Sequence, residues 1–333
     1  MTKFIFPIFS LMLLFAGLSA CEKAFIQNPD QNPEAIFQEA WDYVDRYYSY
    51  FDFKGVDWDS VYTAYEPRIS DDMSDEALFE VIAEMLQILR DGHVSLESFF
   101  DDNTYRGWYL DYPQNFDFNV LERTYTNGEY ELAGPFLIYE FDDIGYVRYS
   151  RFSNGFSNAN LNVVIDRFQD KKGVIFDVRD NGGGSLDNAV RLAARFTQER
   201  TLVGQTRRKD GPGRDDFTPW EERYISPASP SYGGPVVVLT NRSCYSATNY
   251  FIQYMRSLDQ ITIVGDTSGG GAGIPNYTEL ANGWILRVSA SQYQDNDGVE
   301  LEGGIPPDFK VDISEEDKDQ DLDTILEFAL DLF

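Results

Sequence analysis

The segment Gly173-Val174-Ile175-Phe176-Asp177-Val178-Arg179-Asp180-Asn181-Gly182-Gly183-Gly184 runs from an apolar, β-branched stretch into a glycine-rich turn. Its first half has the composition of a strand buried on both faces of a parallel sheet. Leu186 to Phe196 follows with helical spacing, so the unit reads strand, turn, helix. The same rhythm extends in both directions. Ile144 to Tyr149 reads as a strand, followed by a helix through Leu161, Val164, Ile165 and Phe168. Downstream, Pro235 to Thr240 is a second buried strand, Ala247 to Met255 a helix, and Ile261 to Gly265 a third strand. The pattern predicts an α/β core over residues 142–333 with right-handed crossovers.

Upstream of that core the periodicity becomes helical. Ile36, Phe37, Ala40, Trp41, Val44, Tyr47 and Tyr48 form one apolar face. Ser74 is a plausible N-cap for a second helix whose stripe is Leu78, Val81, Ile82, Met85 and Leu89. Residues 34–98 therefore read as a helical subdomain. Residues 99–141, rich in Tyr, Asn and Asp, read as a short run of strands and turns, with alternation at Phe116 to Val120. The acidic run from Glu315 to Asp323 reads as a solvated loop before a last helix.

Residues 1–20 have the features of a secretory leader: Lys3, then an apolar run from Phe4 to Leu18 that is short for a membrane span. Leu18-Ser19-Ala20-Cys21 resembles the lipobox of bacterial lipoproteins, which implies acylation at Cys21 and a lipid-anchored protein of the cell envelope, periplasmic or in the outer membrane. Residues 21–33, with Asn28-Pro29 and Asn32-Pro33, would be the tether. An acylated Cys21 leaves Cys244, the only other cysteine, without a disulfide partner.

The chain has 333 residues, 43% hydrophobic, with 21 Tyr and 25 Phe, which is ample for a packed core. Its 56 acidic and 27 basic residues give a formal net charge of −29, which argues against nucleic acid as a partner. With one histidine and one cysteine outside the lipobox, the chain shows no metal-ligand pattern, and no cofactor is expected.

Catalytic groups in parallel sheets gather beyond the carboxyl ends of the strands. The glycine turn at 182–184 frees backbone amides that could hold an oxyanion, although a bare triplet also fits a plain tight turn. The segment Asn241-Arg242-Ser243-Cys244-Tyr245-Ser246-Ala247-Thr248-Asn249 places three possible nucleophiles, Ser243, Cys244 and Ser246, at the mouth of a helix. Residue type alone does not separate them. His93 is the single histidine, so any imidazole base must be that residue.

Six separated segments together resemble the tricorn and C-terminal-processing serine peptidases, in order, over roughly residues 34–333. They are Leu89 to His93, Ile144 to Arg148, Asp177 to Gly184, Val238 to Asn249, Ile263 to Gly270 and Gly303 to Asp308. The resemblance implies a crotonase/ClpP-like peptidase core and a serine peptidase acting on extracytoplasmic peptides or proteins. It makes Ser246, which precedes Ala247, the nucleophile. The amide of Ala247, with that of Gly182 or Gly183, would form the oxyanion hole.

The processing branch uses a lysine in the segment after Gly265, and none stands between Thr267 and Gly273. Lys171, Lys172, Lys209 and Lys310 lie outside that segment. The tricorn branch uses a histidine, which points to His93. It also uses a serine beside the histidine, where this chain has Gly92, with Ser95 as a substitute, and a glutamate, for which Glu302 is favoured over Glu300 as the group orienting His93. The interval at 99–141 is too short for the PDZ domain of the processing branch. A catalytically silent ligand- or peptide-binding lipoprotein on the same fold is the competing reading.

Overall fold

The computed structural model describes residues 30–333. The expected leader, the Cys21 acylation site and most of the tether lie outside the described residues. Among the described residues no helix is long and apolar enough to cross a membrane.

Among the described residues fourteen strands form three sheets. The largest has the order β14 (Phe309–Lys310), β10 (Ile261–Gly265), β9 (Val236–Thr240), β6 (Gly173–Asp177), β5 (Ile144–Tyr149), β4 (Phe136–Phe141) and β3 (Glu131–Ala133). From β14 to β5 every neighbouring pair is parallel, and β4 and β3 extend the sheet antiparallel. β6 and β9 are buried at every residue, as their unbroken apolar runs require. The helices Asn158–Phe168, Leu186–Ala193 and Ala247–Arg256 pack on one face, and Thr324–Asp331 covers the other.

The sequence places β5, β6, β9, β10 and the helix from Ala247 within a residue, and the helix from Leu186 with an end three residues too long; it does not place β3, β4 or β14. It does not predict the strands that form the two smaller sheets from the C-terminal half. β7 (Thr201–Arg208) lies between β13 (Ser291–Gln294) and β8 (Glu221–Ile225). β11 (Pro275–Glu279) and β12 (Ile285–Ser289) continue into β1 (Ser95–Glu97) and β2 (Asp102–Thr104). That last sheet joins chain ends far apart in sequence. Leu280, Trp284, Leu286 and Val288 enter the core of the N-terminal helices, so this core is not confined to residues 34–98.

Two local expectations differ. Phe118–Val120 is a helical turn that continues as a π-helix over Leu121–Thr126. Asp117 caps it by accepting from the Asn119 amide at 2.8 Å; Leu121 and Thr126 are buried, and of the alternating aromatics Phe116 is buried but Phe118 is exposed. The acidic run is also partly helical, because Ser314 caps Glu315–Asp319. In the N-terminal region the helix Asp75–Gln87 begins at Ser74 as expected, with the Ser74 side chain accepting from Ala77.

Candidate active site

β6 ends in Asp177, and the chain then crosses the sheet end. Asp180 has φ +58, unusual for a non-glycine residue. Asn181 is fully buried and organises the turn: its Oδ1 accepts from the Gly183 amide at 3.0 Å, from Thr248 Oγ1 at 2.7 Å and from the Phe152 amide at 3.3 Å. Its Nδ2 donates to the Tyr149 carbonyl at 2.8 Å. One side chain thus ties the glycine turn to the helix that follows Ser246. Gly183, at φ +97, is obligatory, since a Cβ there would lie 2.6 Å from the Tyr245 carbonyl oxygen and 2.8 Å from Ser246 Cβ.

Ser246 is the first residue before the helix Ala247–Arg256 and has φ +57, ψ −121. Such a conformation persists only where neighbours fix it. Here the Ser246 amide donates to the Gly270 carbonyl at 2.9 Å and the Tyr245 amide to the Asn181 carbonyl at 3.1 Å. Cys244 is excluded as nucleophile by its setting: it is fully buried, its Sγ–H donates to the Val178 carbonyl at 3.0 Å, and burial pushes the thiol up to about 12. Of the three hydroxyl or thiol groups at this turn, Ser246 is the one that meets the histidine.

His93 arrives from the other core. The helix ending at Gln87 is followed by Arg90 at φ +47, then Asp91, Gly92 and His93. His93 Nε2 lies 3.0 Å from Ser246 Oγ. The buried Asp91 carboxylate fixes this turn by accepting from the His93 amide at 2.7 Å, Ser289 Oγ at 2.7 Å and the Tyr245 hydroxyl at 3.3 Å. Burial pushes the imidazole down to about 4, and Arg287 adds to this; Asp91 and the Gly273 backbone oppose it. The ring is therefore neutral at physiological pH. Its Nδ1 is buried without a hydrogen bond of good geometry.

The remaining expected site residues are distributed differently. Glu302 does not bond to His93. Its Oε1 pairs with Lys54 Nζ at 3.1 Å, its Oε2 accepts from the Ala272 amide at 2.9 Å, and its carbonyl accepts from Gly271 at 3.3 Å. Burial and the nearby Asp91 push Glu302 up, while Lys54 and the Ala272 amide pull it back. It thus clamps the loop whose Gly270 carbonyl holds Ser246. Glu300 sits beside Gln294 in a β-bridge, with its carboxyl pushed up to about 7 by burial, and makes no bond to His93. Ser95 Oγ is buried and makes none either. The place of the family's serine is closed to a side chain, because a Cβ on Gly92 would lie 2.5 Å from Trp108 Nε1. The Gly183 amide is taken by Asn181, whereas the amides of Gly182 and Ala247 have no acceptor among the described residues.

Asn181, Asp91, Lys54 and Trp108 are the site residues that sequence reasoning missed. The first two stand inside segments already singled out. Nothing in the sequence marks Lys54 or Trp108.

Residues 143–311 match the model of peptidase family S41, and residues 29–87 match the tricorn protease C1 domain. A solved protein from Parabacteroides merdae, described as a peptidase, is 43% identical over 91% of this chain and 97% of its own, with a TM-score of 0.87. The chain belongs to peptidase family S41. The carboxy-terminal-processing protease of Bartonella bacilliformis is 27% identical over 51% of this chain, which spans 39% of that protein's length. The tricorn protease shares the fold, with a TM-score of 0.58 at 17% identity, over 91% of this chain and 36% of its own. The α/β architecture with a helical N-terminal region is thus that of S41 peptidases.

Proposed function

We propose that this S41 member is a serine peptidase that hydrolyses peptide bonds with Ser246 as nucleophile and His93 as base. The observation that carries the reading is the 3.0 Å approach of His93 Nε2 to Ser246 Oγ. Nε2 of the neutral imidazole takes the proton from Oγ as Oγ attacks the carbonyl carbon. This needs the tautomer with its proton on Nδ1. The tetrahedral oxyanion is held by the free amides of Ala247 and Gly182, at the start of the Ala247 helix. The imidazolium then protonates the leaving amine, and water, deprotonated by the same nitrogen, releases the acyl group from Ser246.

In this reading Glu302 and Lys54 are positioning residues that act through the 270–272 loop, and Asp91 positions the turn of His93. Export and anchoring through Cys21 complete the proposal, on the strength of the leader and lipobox; a mass shift of two or three acyl chains on the N-terminal peptide would support it. The test of the activity is incubation with a defined mixture of extracytoplasmic peptides and mass-spectrometric detection of fragments. New internal cleavages that are absent with Ser246→Ala are expected. Identical peptide profiles for the two proteins would refute the reading.

One observation favours a second reading. A cavity of about 980 Å³ lined by Phe116, Phe118, Tyr130, Leu137, Arg148 and Asp180 adjoins the turn after β6. Its size suits a ligand site. A non-catalytic binder would retain an apolar ligand there and cleave nothing.

A further inference from the structure

The turn that carries Ser246 also carries Arg242, which has no carboxylate partner among the described residues. Its Nε donates to the Trp108 carbonyl at 3.1 Å and its Nη1 to the Ser268 carbonyl at 3.0 Å. The guanidinium carbon lies 4.0 Å from the centroid of the Tyr112 ring. These contacts fix the group while leaving more than half of its N–H donors unbonded. Arg242 is half-buried and lines a cleft of about 250 Å³ together with Trp108, Tyr245 and Gly269.

The cleft is joined to the Ser246–His93 pair through Gly92 and Tyr245, which line it. The Tyr245 ring, one residue before Ser246, stacks on Trp108 at 4.0 Å and stands 4.9 Å from the His93 ring. The other charges lining it do not compensate Arg242. Lys54 and Glu302 pair with each other at 3.1 Å, and Arg90 and Asp111 are exposed. An immobilised guanidinium without a carboxylate partner thus stands four residues before Ser246, in a chain of net charge −29. It is preorganised for a planar anion, since its entropy cost is already met by the protein.

We propose that Arg242 is a specificity-determining residue that takes a carboxylate of the peptide substrate. The inference rests on the peptidase reading of the site. The carboxylate comes either from an Asp or Glu side chain near the scissile bond or from the free C-terminus, and the test separates the two.

Fluorogenic peptides differing only by Glu or Gln at each position, and by a C-terminal acid or amide, would be compared by kcat/KM. Wild type should favour the carboxylate at one position, or at the terminus, by about 10- to 100-fold, mainly through KM. Arg242→Lys should retain part of that ratio. Arg242→Glu should abolish it and, if a side chain is read, favour Lys at the same position. Equal rates for acid and neutral peptides in wild type would overturn the proposal, whatever the variants do. So would a loss in Arg242→Glu that is the same for every peptide, which marks Arg242 as a loop staple only. Binding of the same labelled peptides to Ser246→Ala, followed by fluorescence anisotropy, separates the two claims. Hydrolysis without carboxylate preference sinks the inference alone; carboxylate-selective binding without any hydrolysis by wild type sinks the peptidase reading alone.

Discussion

Ser246 and His93 reach each other from regions built in different ways. The Ser246 side stands on the ends of β6 and β9, where main-chain bonds and one buried amide, Asn181, hold the turns together. The histidine side hangs on a turn after a helix, fixed by side chains: Asp91 to Ser289 and Tyr245, and Lys54 to Glu302 across the two cores. The first arrangement uses the grammar of strand, turn and helix. The second depends on individual polar contacts between distant segments. Two kinds of fragility follow: backbone crowding on one side, and loss of buried charge partners on the other.

The largest effect is expected where the regions meet. Ser246→Ala and His93→Ala should each lower kcat by about 10⁴- to 10⁶-fold, and the double variant should be no worse than the single ones. Additive losses would show that the two residues do not act as a unit.

Gly183→Ala probes the backbone-built side alone. The added Cβ, 2.6 Å from the Tyr245 carbonyl oxygen, must displace the Ser246 turn. A fall in kcat/KM of about 10²-fold is expected. Unchanged turnover would mean that the turn tolerates movement.

Lys54→Met probes the side-chain-built side. It removes the cation beside a buried carboxyl that is already pushed up and must then take a proton, which should cost about 1 to 2 kcal/mol in denaturant unfolding at neutral pH. Glu302→Gln should cost less, because the Ala272 amide keeps an acceptor. The reverse order would place the main role of Glu302 elsewhere than in the clamp.

The smallest effect concerns pH. With His93 pushed down to about 4, the base stays neutral well below the usual histidine range. Over pH 6 to 5, kcat/KM should change less than about twofold, and its acid limb should fall near pH 4. The sign for stability is the opposite of a paired histidine. The unfolded chain takes up the proton first, so His93 costs stability as pH falls from 6.5 towards 4 and costs none above. An acid limb near pH 6.5 would indicate a solvated imidazole.

The same contrast explains what the sequence made legible. β5, β6, β9 and β10 are unbroken apolar runs between turn signals, so their burial is written in local composition. The glycine turn and the cluster of Ser243, Cys244 and Ser246 follow from standing at their ends, whereas only the family resemblance singles out Ser246. His93 is identifiable because it is the single histidine and because Leu89 to His93 resembles the family segment that carries one. Contacts such as Lys54–Glu302 and Gly92–Trp108 join positions with no local signature. Glu302 was picked out as important, but as a partner of His93; its actual partners, Lys54 and the Ala272 amide, depend on how the two cores dock. The strands β1 and β2 are three residues each and are completed by β12, so no local pattern could reveal that sheet.

The pairing of Ser246 with His93 is tested most directly with a fluorophosphonate probe, its adduct mapped by peptide mass spectrometry. Wild type, His93→Ala and Ser246→Ala would be treated side by side at neutral pH. An adduct on Ser246 in wild type, strongly diminished in His93→Ala and absent in Ser246→Ala, is the predicted result. Equal labelling of Ser246 with and without the imidazole, or labelling on another serine, would contradict the account.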